Sequence, residues 1–196
     1  MAPLENLNKY NIILASASPR RRQLLEQLGI DFTVKVIAGL DESYPAGLAW
    51  QEIPEYLSRK KAEGHSSLLT PSTMIITADT LVMLDGKPLG KPADAAEARL
   101  MLRNLSGRSH FVITGVTILT ARKSTSFSTT TEVFFDSLTD DEIDFYIAHF
   151  KPLDKAGAYG IQEWIGAAGI RRIEGSYYNV WDFLCTVSTL RSALSN

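Results

Sequence analysis

The chain has 196 residues, a formal charge of −2, and 45% hydrophobic against 21% charged residues, which fits one globular domain or two small lobes. No global positive field exists to hold a long nucleic-acid backbone, so DNA and RNA are poor first partners. A single cysteine, Cys185, excludes an internal disulfide and a thiolate metal cluster, and His65, His110 and His149 lack metal-ligand spacing. Residues 1 to 11 hold no secretory-type apolar run and no stretch is long enough to span a membrane, which predicts a cytoplasmic protein.

Strands are predicted at 11–16, 32–37, 73–79, 81–84, 109–120, 127–135 and 168–174, and helices at 19–28, 51–63, 93–104 and 139–149. The first junction is the most telling. Ile12-Ile13-Leu14 runs into Ala15-Ser16-Ala17-Ser18-Pro19-Arg20-Arg21-Arg22. Ser18 suits an N-cap and Pro19 the first helical position. A helix N-terminus attracts phosphate, and arginines in its first turn can grip phosphate oxygens bidentately. The glycines and Lys-Ser/Thr of a Walker loop are missing, and a capped surface helix with a solvated basic face fits these residues equally well. Further on, Pro92 opens an Ala/Glu/Leu-rich helix, and Thr139 with Glu142 reads as a capping box. Helices alternating with strands, then a long hairpin-like pair, indicate an α/β domain with a mixed sheet.

Asp79 interrupts the β-rich run Met74–Leu84, where an unpaired carboxylate costs several kcal/mol. At a strand end facing a cleft it would hold a divalent cation or take a proton from an attacking water; the alternative is an acid satisfying a turn. Asp41-Glu42 in a predicted loop are solvated acids or ligands for a Mg²⁺ that also takes phosphate and water. Lys61 lies in the second helix, and Gly90-Lys91-Pro92 offers close backbone approach and a point charge, or a plain turn. Asp154-Lys155-Ala156-Gly157-Ala158-Tyr159-Gly160-Ile161-Gln162 is poor helix or strand chemistry but suits a loop around a small polar ligand. Gln162 carries both a donor and an acceptor for a base edge.

Together these segments resemble the Maf proteins, nucleoside triphosphate pyrophosphatases related in fold to the inosine triphosphate pyrophosphatases. The matching stretches are LASASPRR (14–21), DE (41–42), KA (61–62), ADT (78–80), LGKP (89–92), LSGRSHFVITGV (105–116), TEVFF (131–135), DKAGAYGIQ (154–162) and GSYYNV (175–180). The resemblance implies one Maf-like α/β domain, with a mixed twisted sheet in two lobes around a central cleft, often dimeric. It implies hydrolysis of a nucleoside triphosphate between the α and β phosphates with Mg²⁺ or Mn²⁺. Asp79 corresponds to the family's general base. The DKAGAYGIQ form resembles the branch acting on dTTP and UTP, in which Arg20, Thr80 and Gln162 occupy base-selecting positions. Ser16, Ser18, Arg20 and Arg21 would bind the phosphates, Lys61 and Lys91 would face the leaving pyrophosphate, and Asp79 with Glu42 would hold the metal. The competing expectation is a non-catalytic nucleotide-binding regulator of septum formation.

The end of the chain departs from this pattern. The family continues after Asn-Val with a segment resembling Val-Gly-Leu-Pro-Val, whereas this chain reads Trp181-Asp182-Phe183-Leu184-Cys185-Thr186-Val187-Ser188. A displaced reading frame or ordinary divergence accounts for it. TGG GAT TTC CTG TGC ACC GTC TCT AC encodes the observed residues and the start of Thr189. Read two bases later, the same string encodes Gly-Phe-Pro-Val-His-Arg-Leu-Tyr. With a displaced frame, residues 181–196 are expected to form an aberrant, poorly packed tail with exposed aromatic surface.

Overall fold

The computed structural model describes residues 7–183. It is a mixed α/β structure with an open seven-stranded sheet, ordered β2-β1-β3-β5-β6-β7 with β4 paired to β3. The strands are β1 (Asn11–Leu14), β2 (Thr33–Val34), β3 (Thr73–Leu84), β4 (Lys87–Leu89), β5 (Ser109–Thr120), β6 (Ser124–Phe135) and β7 (Ile170–Glu174). The helices are α1 (Pro19–Gln27), α2 (Ile53–Gly64), α3 (Ala95–Leu105), α4 (Asp140–Phe150), α5 (Trp164–Gly169) and α6 (Tyr177–Trp181). Two compact units divide the chain. Among the described residues the first holds 7–79, Thr114–Thr129 and 182–183; the second holds Thr80–Ile113 and Thr130–Trp181.

In the first unit β1 runs parallel to both β2 and β3, with Leu14 opposite Ile76. Ile13, Ala15 and Ile75 form a small buried cluster with Leu68, Leu69 and Leu119 against it. The strand expected at 32–37 shrinks to Thr33–Val34, both exposed, because no alternating face there is buried. The strands expected at 73–79 and 81–84 are one strand, and Asp79 stands inside it rather than at its end. Extended backbone accommodates the carboxylate because a lysine neutralises it, as described below. Burial along β3 opens only at Asp79, Thr80 and Leu81.

In the second unit α3 and α4 pack on β5, β6 and the 154–162 segment. The core includes Leu102, Leu105, Val133, Phe135, Tyr146, Tyr159 and Ile165. Asp94 caps α3 by accepting from the Glu97 N–H, so that helix begins at Ala95 rather than 93. Thr139 and Glu142 form the expected capping box at α4. β4, α5 and α6 are short elements that sequence periodicity did not predict. Of the residues expected to form a loose tail, Trp181 ends α6 and Phe183 is buried. Residues 184–196 lie outside the described residues.

His110 is a structural histidine. It is buried against Phe135 and Tyr159, with Nε2 2.7 Å from the Tyr159 hydroxyl. Burial holds its pKa down to about 3, against an ordinary value of 6.5. The folded state therefore binds fewer protons than the unfolded chain between these two values. The contribution is fully present above pH about 6.5 and is lost progressively as pH falls toward about 3. Urea unfolding at pH 7 and pH 5 should show wild type losing about 2 kcal/mol more than His110→Gln over that interval. Equal losses in the two proteins would contradict the assignment.

Candidate functional site

The chain leaves β1 at Leu14 and enters α1 through Ser18, whose extended backbone and side chain cap the Arg21 N–H at 3.4 Å, with Pro19 in the first turn. This places the α1 N-terminus just beyond the C-terminal end of β1, where open α/β sheets bind ligands. Of the three arginines, Arg22 lies on the surface and pairs with Glu26 one turn away. Arg21 points inward and is 8% exposed. Its Nη1 donates to the Ser16 hydroxyl at 3.3 Å and to the Ala78 carbonyl at 2.7 Å. The second bond has a topological reason. β1 pairs with β3 as far as Ile76, and β4 pairs with it from Val82 on, so residues 77–81 lie between the two pairings. The guanidinium caps the carbonyl beyond the end of the β1 register, immediately before Asp79.

The acid Asp182 closes on this cluster. The Asp182 carboxylate takes the Ser18 hydroxyl at 2.6 Å and Arg20 Nε at 3.3 Å on Oδ2, and Arg21 Nη2 at 3.0 Å on Oδ1. Arg21 Nε also donates to the Asp182 carbonyl at 3.1 Å.

Lys61 is brought to Asp79 by the seat of α2. A Cβ on Gly115 of β5 would stand 2.2 Å from the Glu55 nitrogen, so only glycine lets the start of α2 approach this strand so closely. One turn on, Ser58 shares a buried hydroxyl contact of 2.8 Å with Thr117, and its carbonyl accepts from the Thr77 hydroxyl at 2.6 Å. Lys61 is three residues further along the same helix face. Its ammonium lies 2.6 Å from Asp79 Oδ1 and 3.1 Å from Glu42 Oε1. His65, one turn later and buried, fixes the loop that carries Glu42. Its Nε2 accepts from the Ile37 N–H at 3.0 Å, which leaves Nδ1 to donate to the Lys61 carbonyl at 2.7 Å. Asp41 is instead engaged by Lys60 at 2.6 Å and by Ser43. Those bonds, Lys60 first, hold its carboxyl well below the usual range.

No cluster of three or more metal-ligating side chains occurs among the described residues. The donor set here is two carboxylates, Asp79 and Glu42, that share one ammonium. Hard oxygen donors in that number fit a Mg²⁺ that takes its remaining ligands from substrate phosphate and water.

The second unit holds Thr80, Lys91 and Gln162. Lys91 is exposed, and the Gly90 carbonyl beside it accepts from the Gly157 N–H at 3.1 Å, so the 89–92 turn lies against the 154–162 loop. That loop is built tightly, as two short 3-10 turns with Gly157 and Ala158 in left-handed backbone. Glu163 ties it down, accepting from the Tyr146 hydroxyl and lying 3.1 Å from Lys155 Nζ. The Tyr146 hydroxyl in turn accepts the Gly160 N–H at 3.0 Å, and burial first, then Glu163, pushes its pKa up. A Cβ on Gly160 would press on the Gln162 amide at 2.9 Å and on Lys155 at 3.1 Å. Gln162 Oε1 is buried without a hydrogen-bond partner, an acceptor whose bond the protein leaves unmade.

Sequence reasoning missed Asp182, the Ser58–Thr117 contact and the Tyr146–Glu163–Lys155 clamp. Only Asp182 carried a signal, as a carboxylate where the resemblance expects glycine. The others are polar residues whose partners lie far along the chain.

An open α/β sheet with an arginine-lined helix N-terminus beyond a strand end, next to a lysine-bridged pair of acids, defines the class of oxyanion-binding α/β proteins suited to phosphate chemistry. The family follows from comparison: the Maf-like protein model matches residues 11–183, and the chain belongs to that family. It is 53% identical to a dTTP/UTP pyrophosphatase of Bacteroides thetaiotaomicron over 90% of this chain and 92% of that protein. It is 55% identical to a dTTP/UTP pyrophosphatase of Phocaeicola vulgatus over the same shares. A third dTTP/UTP pyrophosphatase, from Porphyromonas gingivalis, is 52% identical over 90% of both chains. The Ham1 protein of Staphylococcus aureus is a distant structural likeness, with TM-score 0.47 and 16% identity over 64% of this chain and 71% of that one. No helix among the described residues is long and apolar enough to cross a membrane.

Proposed function

We propose that this protein hydrolyses dTTP and UTP to the monophosphate and pyrophosphate. The observation that carries the reading is Lys61 bridging Asp79 and Glu42, in a unit that also aims Ser18, Arg20 and Arg21 at one oxyanion. Identity of about half with relatives named for this activity supports it. Ser16, Ser18, Arg20 and Arg21 bind phosphate oxygens, and Lys61 and Lys91 offset charge on the departing pyrophosphate. Asp79 takes the proton of a water whose oxygen attacks the α-phosphorus, and the bond to the bridging oxygen breaks so that pyrophosphate leaves with that oxygen. Asp79 and Glu42 would hold the Mg²⁺ or Mn²⁺ that neutralises phosphate charge when bound.

A panel of nucleoside triphosphates scored for pyrophosphate release tests this. Release from dTTP and UTP, dependent on Mg²⁺ and stopped by a chelator, is expected. Tight nucleotide binding without release from any of them would favour a non-catalytic regulator.

Gln162 and Thr80 read the base, and the unpartnered Gln162 Oε1 supports that role. Gln162→Ala should change the ratio of kcat/KM for dTTP over dCTP by about tenfold, the scale of one lost hydrogen bond, and change the rate on the best base less. Equal losses on every base would point to a purely structural amide.

A further inference from the structure

We infer that Asp182 is an intramolecular occupant of the phosphate site, competing with nucleotide for Ser18, Arg20 and Arg21; the inference rests on the reading above. Both oxygens of its carboxylate are engaged, by the Ser18 hydroxyl at 2.6 Å and Arg20 Nε at 3.3 Å on one side and Arg21 Nη2 at 3.0 Å on the other. The side chain is only 12% exposed. A helix-capping hydroxyl and guanidinium forks are the groups that recognise phosphate oxygens, and a carboxylate presents them with the same charge and lone pairs. A phosphate that takes the Ser18 hydroxyl, Arg20 Nε and Arg21 Nη2 displaces the Asp182 carboxylate from them.

The backbone supports this reading. Asp182 has φ +116, a conformation that L side chains rarely adopt and glycine adopts freely. The resemblance expects glycine at this position, in the run Val-Gly-Leu-Pro-Val. A glycine there would satisfy the backbone and make none of the carboxylate contacts to Ser18, Arg20 and Arg21. Aspartate keeps the backbone and adds an anion within reach of them. Its strain is offset by the contacts it makes, and those contacts are the competition.

The test compares wild type with Asp182→Asn, which keeps shape and removes charge, and Asp182→Gly, which also relieves the backbone. Inorganic pyrophosphate binding is measured by calorimetry, and dTTP hydrolysis by steady-state kinetics. Both variants are expected to bind pyrophosphate at least tenfold more tightly and to lower KM for dTTP by a similar factor, with kcat changed far less. Unchanged or weaker pyrophosphate binding by both folded variants, checked by circular dichroism, overturns the inference and makes Asp182 a plain clasp. Tighter pyrophosphate binding without dTTP hydrolysis by any of the three proteins supports this inference and removes the pyrophosphatase reading. Hydrolysis of dTTP with one KM across all three does the reverse.

Discussion

Asp79→Asn should lower turnover of dTTP by about 10²–10⁴-fold, the range lost with a general base, while leaving the fold intact. The amide keeps the shape of the acid on β3 and its place beside Lys61, but it cannot accept a proton from water and is a poor metal ligand. The unfolding midpoint should move little, because Lys61 retains Glu42 at 3.1 Å. Initial rates of pyrophosphate release, with circular dichroism as the control for folding, decide the matter. A variant that turns over dTTP near the wild-type rate removes Asp79 from the chemistry.

Arg21→Lys should fail on two counts. An ammonium cannot reproduce a planar fork that serves Ser16, the Ala78 carbonyl and Asp182 at once. Loss of phosphate contacts should lower kcat/KM by about 10²-fold or more, the scale of one removed donor to a transition-state oxyanion. Loss of the largely buried pair with Asp182 should lower stability by about 3 kcal/mol. Arg22→Lys is the internal control. Arg22 is exposed and, among the described residues, pairs with Glu26 in the next turn, so that change should stay within about 0.5 kcal/mol. In the Asp182→Gly background, Arg21→Lys should cost less stability and still cost activity. A double-mutant cycle in urea therefore separates the clasp from the phosphate site. Equal effects of the Arg21 and Arg22 changes would place the phosphate site elsewhere.

Much of this was written locally. Ser18-Pro19 fixed the start of α1, and the Thr139/Glu142 box fixed that of α4, because capping depends on residues three apart. The runs at 109–120 and 127–135 announced long strands through their β-branched residues, and the second strand begins earlier, at Ser124. Asp79 stood out because a lone acid in an apolar strand demands a partner. The role proposed for the Ser-Pro-Arg-Arg segment rests on equally local features, since a helix N-terminus and its first-turn arginines are neighbours in the chain.

What the sequence by itself determined is therefore the long helices α1 to α4 and the long strands β5 and β6, the caps of α1 and α4, and the chemistry each segment carries, because these depend on short-range spacing; the short β4, α5 and α6 it did not determine. The tertiary structure alone decided the partners. It chose Arg21 over Arg22 as the buried arginine, since only one of them faces the β3 edge left between two strand registers. It joined Lys61 to both Asp79 and Glu42 through a helix seated on Gly115, and gave Asp41 to Lys60 instead. It carried Asp182 to Arg21 across 161 residues of chain. Such pairings depend on where the fold brings distant segments, and on which charges burial forces to pair, neither of which is set by local spacing.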